Sequence, residues 1–252
     1  MHLESLIKPM FLNFLQQYPF LLAFILGLIP ALIWMWFWLK EDTHPEPAKM
    51  ITLSFLGGML AVLFVLPFQK IVYDYIGGEE ALSFTLWAAL EEVAKFLFVY
   101  FIALRNKKLT EEPVDDIIYL IISALGFVTL ENTLFLLDLI RNGEFASTIV
   151  HGNLRFIGAS LLHTMSSATI GICMALAFYR THKEKIMYTI SGIIIAIVLH
   201  TAFNLFIIRE AEGNIFFIFG TVWLSIIVLL LLFEKVKHLR NSTFDPKLYE
   251  RH

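Results

Sequence analysis

Between Tyr18 and Phe233 the chain is a succession of apolar runs, each long enough to cross the hydrocarbon core of a bilayer as a helix, separated by short polar connections. About 20 apolar residues suffice for such a crossing. The expected fold class is therefore all-α, a polytopic membrane helical bundle of about seven transmembrane helices. Composition agrees: 58% of the 252 residues are hydrophobic and the mean hydropathy is +0.73, well above the roughly 45–50% apolar content of a soluble domain. A net charge of −3 offers no general attraction for nucleic acid. The single cysteine, Cys173, lies inside an apolar run and excludes an intrachain disulfide.

The spans are expected at Tyr18–Leu39, Met50–Phe68, Ala81–Leu104, Ile117–Ile140, Leu154–Tyr179, Ile186–Ile208 and Ile215–Phe233, one membrane domain over residues 18–233. The first run lacks a small-residue cleavage site after it and reads as a retained anchor. Ahead of it, Met1–Gln17 mixes apolar residues with Glu4, Lys8 and two glutamines, the pattern of a segment lying in the membrane interface. Residues Glu234–His252 form a basic tail. Positive charge is unequal between alternate connections. One side carries Lys40, Lys49, Arg105, Lys107, Lys108, Arg180, Lys183 and Lys185 together with the tail; the other holds only Lys8, Lys70, Arg141, Arg155 and Arg209. The expectation is a multi-pass cell-membrane protein with an extracytoplasmic N-terminus and a cytoplasmic C-terminus.

The third span is the unusual one, because Glu91, Glu92 and Lys95 stand in its middle. Each such charge costs something like 2.5–3.5 kcal/mol on the insertion scale, whereas a Leu, Ile or Phe recovers only about 0.3–0.6. Lys95 is three residues from Glu92 and four from Glu91, so helical geometry lets it pair with one and leaves the other for a different task. Further polar residues sit inside the later spans: Glu131 and Asn132 in the fourth, His163 and Ser167 in the fifth, His200 and Asn204 in the sixth. From the expected outer ends, the helical rise puts Glu91 ~15 Å deep, Glu131 and His163 ~14 Å, and His200 ~12 Å. Four spans thus carry ionisable groups to one level, in the outer half of the membrane.

Taken singly, each has a structural reading. Glu92 and Lys95 form an ion pair that makes the span insertable, Glu131 and Asn132 bond neighbouring helices, the histidines pack, and Ser166, Ser167 and Thr169 bond their own i−4 carbonyls. Coincidence in depth favours chemistry. A carboxylate withdrawn from water reaches the basicity of a general base near neutral pH, and His and Asn side chains can hydrogen-bond a carbonyl oxygen as it becomes anionic. Neither Gly-x-Ser-x-Gly nor His-Glu-x-x-His occurs. Amide hydrolysis by glutamate-activated water remains. Two other readings stay open: a proton-coupled transporter or channel, and a metal-dependent membrane hydrolase in which Glu and His bind a divalent ion such as zinc.

The ordered set Glu91-Glu92-x-x-Lys95, Gly126 to Asn132 (GFVTLEN), His163-x-x-x-Ser167 and His200-x-x-x-Asn204, with the loop Asp42 to Pro47, resembles the PrsW family of bacterial intramembrane proteases. The likeness spans roughly Leu39 to Phe206. It implies an endopeptidase that cuts a membrane-anchored protein, such as an anti-sigma factor, near the extracytoplasmic side. It also implies roles: Glu91 or Glu92 activates water, His163 and His200 polarise the carbonyl, Asn204 donates to the oxyanion, and Glu131 supports or shares a proton. Lys95, Asn132 and Ser167 support them. No resident cofactor is expected from the residues, with a divalent metal left open, and the partners are a membrane-anchored substrate and the bilayer.

Overall fold

The computed structural model describes residues 17–42, 44–77, 81–142, 145–209 and 215–239. Among them it has seven helices and no strand. These are α1 (Pro19–Glu41), α2 (Ala48–Ile76), α3 (Ala81–Val99, continued by a π-helical turn Tyr100–Leu104), α4 (Pro113–Arg141), α5 (Phe145–Leu176), α6 (His182–Arg209) and α7 (Ile215–Lys237). Helices α1, α2 and α4, and the stretches Gly158–Leu176 of α5 and His182–Leu205 of α6, have the length and hydropathy of membrane spans. The chain is an all-α multi-pass membrane bundle.

Several helices outrun the apolar stretches that announced them. Helix α2 continues to Ile76, through Gln69 and Lys70, where a polar connection was expected. It stops at Gly77, whose φ of +100° lies in the region that favours glycine and whose N–H bonds the Tyr73 carbonyl. Helix α4 starts at Pro113 instead of Ile117: the proline occupies its first turn, and Glu112 and Asp115 form a reciprocal capping box. Helix α5 begins at Phe145, within the loop expected up to Asn153. Hydropathy falls at the first charge, but the backbone ladder runs on until a cap, a glycine or a proline ends it. Apart from Gln17, the expected interfacial segment Met1–Gln17 lies outside the described residues, as does the tail beyond Leu239.

Helix α4 is the axis of the bundle, with every residue from Ile117 to Ile122 fully buried. Helices α1, α2, α3 and α5 pack on it, α6 lies across α3 and α5, and α7 packs against α5. Lipid supplies no hydrophobic drive for helix association, so close fit has to supply it. At the α2–α4 crossing the fit is made by two glycines: a side chain at Gly58 would overlap the Ser123 carbonyl, and one at Gly126 the Phe55 carbonyl. On the outside, Ile29, Ile33 and Trp36 of α1 and Ile190, Ile194 and Val198 of α6 are exposed, a surface suited to acyl chains. This arrangement brings the mid-sections of α3, α4, α5 and α6 together around one polar interior.

Candidate active site

The three ionisable residues of α3 meet side chains from the four helices around it, α2, α4, α5 and α6. Lys95 Nζ donates to Glu92 Oε1 at 2.7 Å, one helical turn back, and lies 3.1 Å from His163 Nδ1 on α5. His200 Nδ1 on α6 meets the same Glu92 oxygen at 2.7 Å, and Ser167 Oγ on α5 donates to Glu92 Oε2 at 3.1 Å. The far nitrogen of His163, Nε2, is 2.9 Å from Glu131 Oε2 on α4. The two imidazoles stand edge to face with centroids 4.8 Å apart, and Phe127 packs against both His163 and the Lys95 ammonium. Glu92 and Lys95 have no exposed surface, while 28% of the Glu131 side chain is open.

Hydrogen-bond logic assigns the ring protons. An ammonium has only donors, so a Lys95 bond to His163 Nδ1 leaves the His163 proton on Nε2, facing Glu131. Glu92, as a carboxylate, accepts a hydrogen bond from the Nδ1–H of His200. A neutral His200 then turns the lone pair of Nε2 toward Glu91 Oε2, 3.5 Å away. That Glu91 oxygen is buried and has no hydrogen-bond partner. Two acceptors facing each other in a dry interior call for a proton or a cation between them. Glu91, His163 and His200 each offer one ligand atom, and the three atoms lie within 4.8 Å of one another.

The structure therefore separates the two adjacent glutamates. Lys95 pairs with Glu92, whose two oxygens are filled by three donors. Glu91 keeps one oxygen free. Its other oxygen, Oε1, accepts from Gln69 Nε2 of α2 at 2.7 Å. Of the residues singled out in the sequence, Glu91, Glu92, Lys95, Glu131, His163, Ser167 and His200 come together in one cluster. Asn204, half-buried one turn beyond His200, is not part of its hydrogen-bonded network, and neither is Asn132, which is buried with an unpartnered Oδ1. Thr169 bonds the carbonyl four residues back, as expected, whereas the Ser166 hydroxyl has no partner.

Gln69 and Ser123, whose Oγ is 3.4 Å from the Lys95 carbonyl, are the polar contacts that the sequence reading passed over. A signal for Gln69 existed. The buried positions of α2, Ser54, Gly57, Gly58, Ala61, Val62 and Val65, recur at three and four, and the next step of that stripe is Gln69.

Residues 46–232 match the sequence model of a family described as PrsW family intramembrane metalloprotease. The chain is 28% identical over 184 residues to Protease PrsW of Geobacillus kaustophilus, which covers 71% of this chain and 76% of that protein. It is 28% identical over 195 residues to Protease PrsW of Clostridioides difficile, covering 74% and 79%, and 25% identical over 194 residues to Protease PrsW of Bacillus subtilis, covering 76% and 84%. No solved structure matches the chain. Every residue of the cluster, from Gln69 to His200, falls inside the matched stretch.

Proposed function

Since the chain belongs to the PrsW family of intramembrane proteases, we propose that it cuts a membrane-anchored protein, such as an anti-sigma factor, near the extracytoplasmic side, with Glu91, His163 and His200 acting on the water and the scissile carbonyl. The observation that carries this reading is the unpartnered, buried Oε2 of Glu91 facing His200 Nε2. Glu92 is the weaker candidate, because an oxygen already filled by an ammonium and an imidazole is a poor proton acceptor. Its work is to hold the ring of His200 and the ammonium of Lys95 in place. The lysines and arginines of the 40–49, 105–112 and 180–185 connections support an orientation with the C-terminus in the cytoplasm and with the cluster nearer the outer face.

The family description as metalloproteases fits the donors present: two imidazoles and a carboxylate whose ligand atoms lie within 4.8 Å form the kind of set that binds a divalent ion such as zinc and leaves a position open. Glu91 would hold it through Oε2 and His200 through Nε2, with the Glu92 carboxylate on Nδ1 orienting that ring, as outer partners of metal-binding histidines do. His163 would join by exchanging one of its bonds, to Lys95 or to Glu131. When bound, the ion supplies Lewis-acid polarisation of the carbonyl and a more acidic water. With Glu91 Oε2 then a ligand and no longer a proton acceptor, Glu131, partly open and hydrogen-bonded to His163 Nε2, is the carboxylate left to take the proton from the water and pass it to the leaving amine.

The test uses purified protein in liposomes with single-span, fluorescently labelled peptides and mass spectrometry of the products. Wild type cleaves, and Glu91→Gln is expected to be slower by about 100-fold or more. Chelation is expected to silence the wild type and added Zn²⁺ to restore it. Cleavage that survives both Glu91→Gln and chelator would sink the reading.

A further inference from the structure

Gln69 reaches the cluster from a helix that contributes nothing else to it. It lies on α2, eight residues before Gly77, and α2 packs against α3 so that Gln69 stands beside Trp87 and Glu91. The Ser83 hydroxyl of α3 donates to the carbonyl of Gly77 at the end of α2. Trp87 and Glu91, four residues apart on one face of α3, then grip the same residue. The Trp87 indole N–H donates to the Gln69 main-chain carbonyl at 3.1 Å, and the Gln69 amide donates to Glu91 Oε1 at 2.7 Å.

A glutamate with neither oxygen held turns about its side-chain torsions and brings either oxygen, or neither, to the reacting centre. With Oε1 fixed by Gln69, only Oε2 faces His200, and it does so without a competing partner. A free oxygen in a fixed direction is what a water proton or a divalent ion requires of Glu91, and a misplacement of about 1 Å costs on the order of 100-fold in rate. We infer that Gln69 is a positioning residue for peptide hydrolysis: its side-chain amide orients the Glu91 carboxylate, and the Trp87 indole anchors Gln69 for that task. This inference rests on the proposed role of Glu91 in hydrolysis.

The experiment compares wild type, Glu91→Gln, Gln69→Leu and Gln69→Glu in the same liposome assay, each over a range of pH, with kcat and KM determined separately. Gln69→Leu keeps the bulk and removes the donor, and is expected to lower kcat by about 10–100-fold with KM within about threefold. Gln69→Glu donates only while its own carboxyl is protonated, so the ratio of its kcat to that of wild type is expected to rise as pH falls. A residue that merely packed α2 on α3 would leave kcat of the folded Gln69→Leu variant at the wild-type value, because leucine keeps the bulk. Wild-type kcat in Gln69→Leu, alongside a silent Glu91→Gln, overturns the inference and leaves the proposed function intact. If Gln69→Leu fails to fold, a Gln69→Glu ratio that is flat with pH overturns it instead. A Glu91→Gln variant as active as wild type overturns both.

Discussion

Lys95 Nζ, His200 Nδ1 and Ser167 Oγ converge on the two oxygens of Glu92, and this convergence lets a carboxylate persist where no water reaches it. Taking away one partner leaves the rest exposed to the full cost of burial. Lys95→Met is expected to destabilise the protein by about 3–5 kcal/mol, because the charge on Glu92 loses its closest counter-ion. Thermal denaturation in detergent would show it, and the double variant Lys95→Met with Glu92→Met should lose less than the sum of the two singles. Ser167→Ala removes the weakest of the three donors and should cost only about 1 kcal/mol. From spacing alone, Lys95 could have chosen Glu91 or Glu92, since both lie one turn back on the same helix. The choice fell to Glu92 because His200 and Ser167, on two other helices, aim at it as well.

The α2–α4 crossing is where one helix fixes the position of another. Gly58 and Gly126 each face a carbonyl of the opposite helix with no room for a methyl group. Gly126→Ala is therefore expected to push the helices apart, at a cost of about 1–3 kcal/mol or more. Because α4 carries Glu131 and α2 carries Gln69, the same substitution should also lower cleavage activity, which the liposome assay reads alongside the denaturation midpoint. At one end of these helices the connection between α1 and α2 is tied to α4 by the Tyr119 hydroxyl, which donates to Glu46. Burial pushes the Glu46 carboxyl from its ordinary 4.5 up to about 7, the Tyr119 bond works against that rise, and the charges of Asp115 and Asp42 add to it. The folded chain thus favours the protonated form. The stability this group contributes is complete below about pH 4.5 and is lost as pH rises through about 7. The midpoint in detergent should fall between pH 5 and pH 8, with a smaller fall in Glu46→Gln. Apolar runs made these helices legible in the sequence but gave their ends wrongly, because charged residues such as Lys70 and Asp115 end a hydrophobic stretch without ending a helix.

For the molecule as a whole, the uneven distribution of lysine and arginine leads to a prediction about sidedness. In a chain with Cys173 replaced by Ser, a cysteine introduced as Asp74→Cys is expected to react with a membrane-impermeant thiol reagent in intact cells. Thr181→Cys is expected to react only after permeabilisation, and the reverse pattern would invert the proposed orientation. By itself the sequence determined the class of fold, the multi-pass character and the set of helices that bear ionisable groups. Hydropathy and helical rise are local properties, and a charge in a membrane span is too costly to be incidental. The same arithmetic of rise anticipated that Glu91, Glu131, His163 and His200 would share a depth, and they form one cluster. Only the tertiary structure decided which glutamate is filled and which keeps a free oxygen, that Asn204 stands apart, and that Gln69 joins from α2. Those outcomes depend on how each helix is rotated about its axis and where it crosses its neighbours, and these are set by packing such as the Gly58–Gly126 contact between residues far apart in the chain.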